Sequence, residues 1–162
     1  MSAFYEIHDS ILERLEWHGT MLEVIFRAVC IVSDDDSPLA WGRQRIVLRI
    51  EGASVSGDKV EPTIWLLDGD FACESQVPFE YDPDNGCISA YLQEANRIHL
   101  HLFGENEETH DFPTFDIRGE SMTLQKLGPV EWSKKTIPAV ASAKARTLEI
   151  RAFDFDLPGS AK

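Results

Sequence analysis

Two histidines separated by one residue stand in the segment NRIHLHLFGEN, and an acidic residue follows them a few positions later. Residues two apart on a β-strand share one face, so His99 and His101 would project side by side. Imidazole nitrogens combined with a carboxylate oxygen are ligands for iron, manganese or zinc. The spacing therefore predicts a candidate metal site at His99, His101 and Glu105, and with it a metal-dependent or small-ligand β-barrel enzyme.

The same segment also favours a simpler interpretation. Cupin-type barrels use such histidines, but their motifs carry flanking glycines where this chain has Gln93 and Phe112. The two histidines alternate with aliphatic residues, and if these face the core the imidazoles face solvent: Ile98, Leu100 and Leu102. On this interpretation the histidines are solvated or hydrogen-bonded side chains, and the protein needs no cofactor. If a cofactor is bound after all, we expect it to be a transition metal.

His8, Asp9 and Ser10 combine three side-chain types that hydrolase active sites use. Adjacent strand residues point to opposite faces, so a Ser-His-Asp relay is normally assembled from separated segments. Ser10 followed by Glu13 also fits a helix-capping box, whereas the alternation that follows favours a strand. We predict a structural role, namely a strand with a tight turn at Asp9-Ser10 whose side chains bond nearby backbone amides.

The formal net charge is −13, from 28 acidic and 15 basic residues. Such a surface repels phosphate backbones and anionic lipids, which argues against nucleic acid and membranes as partners. It suits a basic protein partner, because complementary fields speed encounter, although acidity also favours solubility in its own right. Candidate partner-binding residues lie in or beside the acidic stretches: Asp34, Asp35, Asp36, Trp41, Glu105, Glu107, Glu108 and Asp111.

Alternation of apolar and polar residues dominates the chain and predicts an all-β fold. Three segments carry it most clearly: TMLEVIFRAVCIV, RQRIVLRIEGASV and NRIHLHLF. We expect residues 1–162 to form a single β-rich domain, an antiparallel β-sandwich or barrel of about nine or ten strands. One short helix at residues 139–146 is left open, and alternation that changes parity around Arg151-Ala152 predicts a bulge.

Turn signals and tryptophans complete the expected layout. The dipeptides that predict turns between strands are His18-Gly19, Asp68-Gly69, Asn85-Gly86 and Gly119-Glu120, and the stretch DDDSPLAWG predicts an exposed loop ending beside Trp41. Trp17 and Trp65 lie in strand patterns and are predicted to be core residues. Trp41 either anchors a partner or folds back onto its own domain.

The cysteines and the N-terminus predict a cytoplasmic protein. Cys30, Cys73 and Cys87 are an odd number with wide spacing, which favours buried free thiols, with a single disulfide as the alternative. The start MSAFYEIHDS lacks the basic and apolar regions of a secretory signal.

The segment HDSILERLEWHGTMLEVIF resembles the start of a group of uncharacterised small bacterial β-rich proteins that open with His-Asp-Ser, an alternating strand, a Gly turn and a second strand. FDIRGESMTLQKLGPVEW resembles their strand-Gly-strand segment ending in Val-Glu. The resemblance covers about half of the chain and implies a β fold, but it carries no activity and no site residues. The net charge of −13 and the lack of a coherent catalytic set lead us instead to expect a non-enzymatic soluble binding module, such as an acidic inhibitor or immunity-type protein for a basic partner. Self-association is left open.

Overall fold

The computed structural model describes residues 2–34, 37–74, 81–82, 86–89 and 91–133. These residues form β-strands joined by turns and short connections. The strands are β1 Ser2–His18, β2 Met21–Asp34, β3 Ser37–Glu51, β4 Ser54–Gly57, β5 Ile64–Glu74, β6 Tyr81–Asp82, β7 Gly86–Ser89, β8 Tyr91–Leu92, β9 Ala95–Asn106, β10 Thr114–Lys126 and β11 Glu131–Trp132.

Six long strands close into an antiparallel barrel. Around the ring, β1 pairs with β2, β2 with β3, β3 with β10, β10 with β9, and β9 with β5. The ring is completed where β5 returns to β1, with Trp65 opposite Ile11 and Ile64 opposite Leu12. In the described residues every long strand therefore has a neighbour on both sides, and the closing contact between β1 and β5 consists of these two residue pairs.

The all-β class is confirmed, and the architecture is a barrel. The predicted count of nine or ten strands is wrong. Within the described residues, eight strands have four or more residues, namely the six of the barrel with β4 on β10 and β7 on β5. The two-residue strands β6, β8 and β11 add to the outside of this assembly. The count differs because the barrel strands are longer than the short strands that the turn signals implied.

The alternation read from the sequence corresponds to the inside and outside of the barrel. In β2, Leu22, Val24 and Phe26 point inward and are buried, while the residues between them are half-buried. In β9 the aliphatic residues Ile98, Leu100 and Leu102 are buried, as predicted. Burial of such aliphatic and aromatic side chains contributes about 1.5–3 kcal/mol each and is what holds the ring together.

A polar pair lies among these core residues. The Tyr5 hydroxyl donates a hydrogen bond to Oε1 of Gln44 at 2.5 Å, and Gln44 Nε2 donates to the backbone oxygen of Gly128 at 2.5 Å. Both side chains are buried, so each bond removes a desolvation penalty as well as adding an attraction. Cys30 is an unpaired buried thiol and Cys73 is buried too, as predicted, while the side chain of Cys87 lies outside the described part.

The connections between strands divide between the two ends of the barrel. Glu51, the last residue of β3, lies opposite Ser121, so β3 ends at the same end of the barrel at which β10 begins. The β9–β10 connection (107–113) is therefore at this end, as is the turn after His18. The β2–β3 connection after Asp34 is at the opposite end. Strands that neighbour each other in an antiparallel barrel run in opposite directions, so the connection before a strand and the connection after it lie at opposite ends.

Several sequence-based predictions of turns and core residues need correction. The turn after His18 is confirmed, with Gly19 at φ 63°. Asp68-Gly69 and Gly119-Glu120 are not turns but lie inside β5 and β10, where a shift of the β5–β9 register between Leu66 and Asp68 accommodates the first pair. Asn85, the helix at 139–146 and the bulge at Arg151-Ala152 lie outside the described residues.

The tryptophan predictions were also partly wrong. Trp17 is 50% exposed and Trp65 is 40% exposed, so neither is a core residue. Trp65 points outward because its neighbours Ile64 and Leu66 take the inward positions of β5. Trp41 belongs to β3 and not to a loop, because β3 already begins at Ser37.

Candidate functional site

A cleft of about 340 Å³ lies at the end of the barrel that carries the β9–β10 connection. Its walls come from that connection and from the β4–β5 connection beside it. The residues that line it are Asp58, Lys59, Glu61, Asn106, Thr109, Asp111, Phe112 and Pro113.

Asn106 holds the two walls of the cleft together. Its Nδ2 donates to the backbone oxygen of Glu61 at 2.7 Å, across the cleft. Its Oδ1 accepts from the backbone amides of Glu108 and Thr109 at 2.9 and 3.0 Å. Asn106 is buried, so the full set of bonds satisfies its amide and fixes the backbone of both connections.

Backbone hydrogen bonds reinforce this arrangement. The amide of Asn106 donates to the oxygen of Asp111 at 2.8 Å, and the amide of His110 donates to the oxygen of Asn106 at 2.9 Å. His110 adopts φ 61°, in the left-handed region that tight turns require. Glu107 is tied across the cleft through its amide to the oxygen of Thr63 at 3.0 Å. The loop is therefore held in a defined shape by the barrel.

Negative charge dominates the cleft and its rim. Lys59 Nζ lies 2.7 Å from Glu61 Oε1, and this hydrogen bond raises the pKa of the exposed lysine. Asp58 Oδ2 accepts the amide of Thr114 at 3.0 Å. Within the described residues, the carboxylates of Glu107 and Asp111 form no ion pair. The one lysine of the cleft is thus already paired, and further carboxylates are left to act on solvent or on a ligand.

Phe112 adds an apolar element to this acidic surface. It is 53% exposed, which is unusual for a large apolar side chain on a charged loop. Its ring stacks on Phe103, with ring centroids 6.2 Å apart and an interplanar angle of 18°. Phe103 belongs to β9, so the exposed ring has a fixed support on the barrel wall.

The structure gathers only some of the predicted partner-binding residues. Glu107, Glu108 and Asp111 are exposed on the β9–β10 connection, and Glu105 lies just before it in β9. Sequence reasoning missed Phe112, Asp58 and Asn106 at this site. An aromatic residue inside a polar turn segment was the one available signal for Phe112.

The other predicted partner-binding residues lie elsewhere. Asp34 ends β2 at the opposite end of the barrel, and Asp35 and Asp36 lie outside the described residues. Trp41 is half-buried on β3, with the Arg43 guanidinium carbon 5.8 Å from its ring centroid. The predicted residues therefore do not form one surface.

The predicted metal ligands are only partly brought together. His99 Nε2 lies 2.7 Å and His101 Nδ1 lies 2.8 Å from the same oxygen, Oδ1 of Asp116. The hydrogen bond from His99, together with the contribution of His101, lowers the pKa of Asp116 despite its partial burial. Glu105 lies four residues beyond His101, about 13 Å along an extended strand. Sequence reasoning missed Asp116, which only the β9–β10 register brings opposite His101.

No group of three His, Cys, Asp or Glu side chains in the described part of the chain is arranged to hold a metal ion. The site at His99, His101 and Glu105 stays a prediction. The part of the chain that the structure describes contains no helix, and so none that could span a bilayer.

His8, Asp9 and Ser10 form an irregular stretch where the β1–β2 register shifts between Glu6 and Ile11. Asp9 has φ 65°, and its Oδ1 accepts a hydrogen bond from Trp65 Nε1 at 3.1 Å. The buried Ser10 hydroxyl donates to the oxygen of Glu6 at 2.5 Å, and its oxygen accepts the amide of Val29 at 2.9 Å. A nitrogen of His8 contacts the backbone oxygen of Leu67. The bonds of His8 and Ser10 thus reach backbone groups, and Ser10 accepts a backbone amide as predicted, whereas Asp9 bonds the Trp65 indole and not the predicted backbone amide.

Comparison with protein-family models, with curated proteins and with solved structures finds no match for this chain. The resemblance of the His-Asp-Ser segment to small bacterial β-rich proteins stays a prediction.

Proposed function

We propose that this protein is a non-enzymatic binding module that docks a basic partner protein through the end of the barrel carrying the cleft. An inhibitor or immunity-type protein for a basic toxin has this character. The observation that carries the proposal is the supported, exposed ring of Phe112 beside the unpaired carboxylates of Glu107 and Asp111.

An exposed aromatic ring beside carboxylates suits protein recognition because the ring and the charges contribute to binding in different ways. A large aromatic side chain that enters a pocket on the partner supplies most of the affinity at a protein interface. Surrounding charges supply orientation and the rate of encounter. With a net charge of −13, the whole molecule also attracts a basic partner at long range.

Preorganisation supports the proposal further. The hydrogen bonds of Asn106 hold the loop before any partner arrives. Less conformational entropy is then lost on binding, and more of the contact energy appears as affinity. A cytoplasmic location belongs to the same proposal, since buried thiols such as Cys30 persist reduced in that compartment.

The experiment is affinity capture from host lysate with the full chain as bait, at low and high salt. We expect a basic protein at low salt, weaker capture at high salt, and loss of capture by Phe112→Ala and by the double variant Glu107→Lys, Glu108→Lys. Leu127→Ala is the matched control, because Leu127 is 43% exposed but follows β10 at the opposite end. If no basic protein is captured at low salt, or if Phe112→Ala captures as well as the unchanged chain, the proposal is wrong.

A further inference from the structure

Trp65 presents an indole ring on the outer wall of the barrel. The residue is 40% exposed, although it belongs to the barrel strand β5. Its Nε1 donates a hydrogen bond to Oδ1 of Asp9 at 3.1 Å, and Oδ2 of Asp9 lies 3.4 Å from Nε2 of His8. An indole whose N–H has a partner is held in one orientation. The exposed ring therefore has a fixed place on the wall.

Glu105 supplies a carboxylate beside this ring. It lies directly opposite Trp65 in the β5–β9 register and on the same outer face. Residues directly opposite each other on antiparallel strands have Cβ atoms about 4.5–5.5 Å apart. Glu105 is half-buried, and no ion pair or hydrogen bond in the described part of the chain involves its carboxylate. A negative charge without a partner thus stands next to an exposed aromatic ring.

The ring and the carboxylate continue the docking surface of the cleft onto the wall. Asn106, which follows Glu105 in the chain, lines the cleft. Phe103 shares the outer face of β9 with Glu105, and its ring stacks on that of Phe112. A partner that covers Phe112 therefore also reaches the wall at Trp65.

We propose that the exposed ring of Trp65 and the carboxylate of Glu105 together receive one arginine side chain of the basic partner. A guanidinium group stacks on the face of an aromatic ring, and its N–H groups donate to a carboxylate at the same time. Lysine is less suitable, because its compact and strongly hydrated ammonium group cannot stack in this way. The inference deepens the proposed function and rests on it for the kind of partner, a basic protein.

The test is a titration of the full chain, followed by nitrogen–proton NMR, with two capped peptides of equal charge. One peptide contains three Gly-Arg repeats and the other contains three Gly-Lys repeats. We expect the arginine peptide to shift the indole N–H resonance of Trp65 until it saturates, and to bind about threefold or more tightly than the lysine peptide. Equal binding of the two peptides would overturn the assignment to arginine.

Glu105→Gln and Trp65→Leu each remove one half of the site. We expect each variant to bind the arginine peptide about threefold or more weakly, with the backbone amide resonances of β9 as the common readout. Glu120→Gln is the matched control, because Glu120 is an exposed carboxylate on β10 whose neighbour Ser121 pairs with Asn96, at the start of β9. The control should bind as the unchanged chain does.

The arginine site and the docking function can fail separately in these experiments. If the arginine peptide shifts resonances of residues 107–112 but not the Trp65 indole, the arginine site is wrong and the docking surface at the cleft is kept. If the peptide shifts the Trp65 indole but a lysate yields no basic protein, the arginine site is kept and the docking function is wrong. Full binding by Glu105→Gln would also overturn the arginine site.

Discussion

The side-chain amide of Asn106 donates a hydrogen bond to the backbone oxygen of Glu61 at 2.7 Å, joining the two connections that form the cleft. The residues are 45 positions apart in the chain. A single buried side chain thus couples the loop after β9 to the loop before β5. The backbone bond from the Glu107 amide to the oxygen of Thr63 joins the same two connections.

Asn106→Ala tests the contribution of the Asn106 side chain. The change leaves the amides of Glu108 and Thr109 without their acceptor, so we expect a loss of about 1–3 kcal/mol in the free energy of unfolding. Urea unfolding measures this loss, and amide hydrogen exchange should show faster exchange in residues 107–111. If amide exchange in residues 107–111 is unchanged, the Asn106 side chain does not determine the shape of that loop, and its attachment to the end of the barrel is sufficient.

Ser10→Ala tests the structural role of the His-Asp-Ser segment. The buried hydroxyl bonds both the oxygen of Glu6 and the amide of Val29, and alanine leaves these backbone groups unsatisfied. We expect a destabilisation of about 1–3 kcal/mol in urea unfolding. The exposed Ser54, on β4, is the control, and Ser54→Ala should change stability by less than about 0.5 kcal/mol. Equal effects of the two changes would argue against the assigned role.

Alkaline pH should destabilise the protein through Cys30. Burial raises the pKa of this thiol from 9.0 to about 12, against a smaller opposing effect of Lys126. Burial raises the pKa of Tyr5 in the same direction. The folded chain keeps these protons while the unfolded chain releases them, so this stability is fully present below about pH 9 and is lost as the pH rises toward 12.

Urea unfolding at a series of pH values measures that loss. In Cys30→Ala the fall in unfolding free energy above pH 9 should be shallower than in the unchanged chain, whatever the absolute cost of the substitution. Parallel profiles for the two proteins would show that the thiol does not contribute.

Gly104→Ala should force β5 and β9 apart. A Cβ at this position would meet the backbone oxygen of Trp65 and would lie 2.6 Å from Cγ2 of Ile64. Crowding of this kind costs about 1–3 kcal/mol, which thermal or urea unfolding detects. Gly128→Ala is the control, because a Cβ there meets nothing within 4 Å. Destabilisation by Gly128→Ala alone would contradict the packing described for β9.

Much of the wall of the barrel was predictable from local pattern. The alternation through Leu22, Val24 and Phe26 identified a strand and its inward face, because a side chain's direction on a strand depends only on its parity. The alternation did not predict side-chain direction where the register shifts. The large apolar side chain of Trp65 led to a prediction of burial that was wrong. That ring lies outside because it follows the inward Ile64, and Asp9 holds its indole N–H.

The sequence by itself determined the β class, the acidic surface and the outward direction of His99 and His101. Tertiary structure alone decided that β5 returns to β1, that Asp116 stands beside both histidines, and that Glu61 and Asn106 meet across a cleft. The physical reason is that strand parity is a local property of the backbone. Pairing partners and register, in contrast, depend on how distant strands bury their apolar faces together.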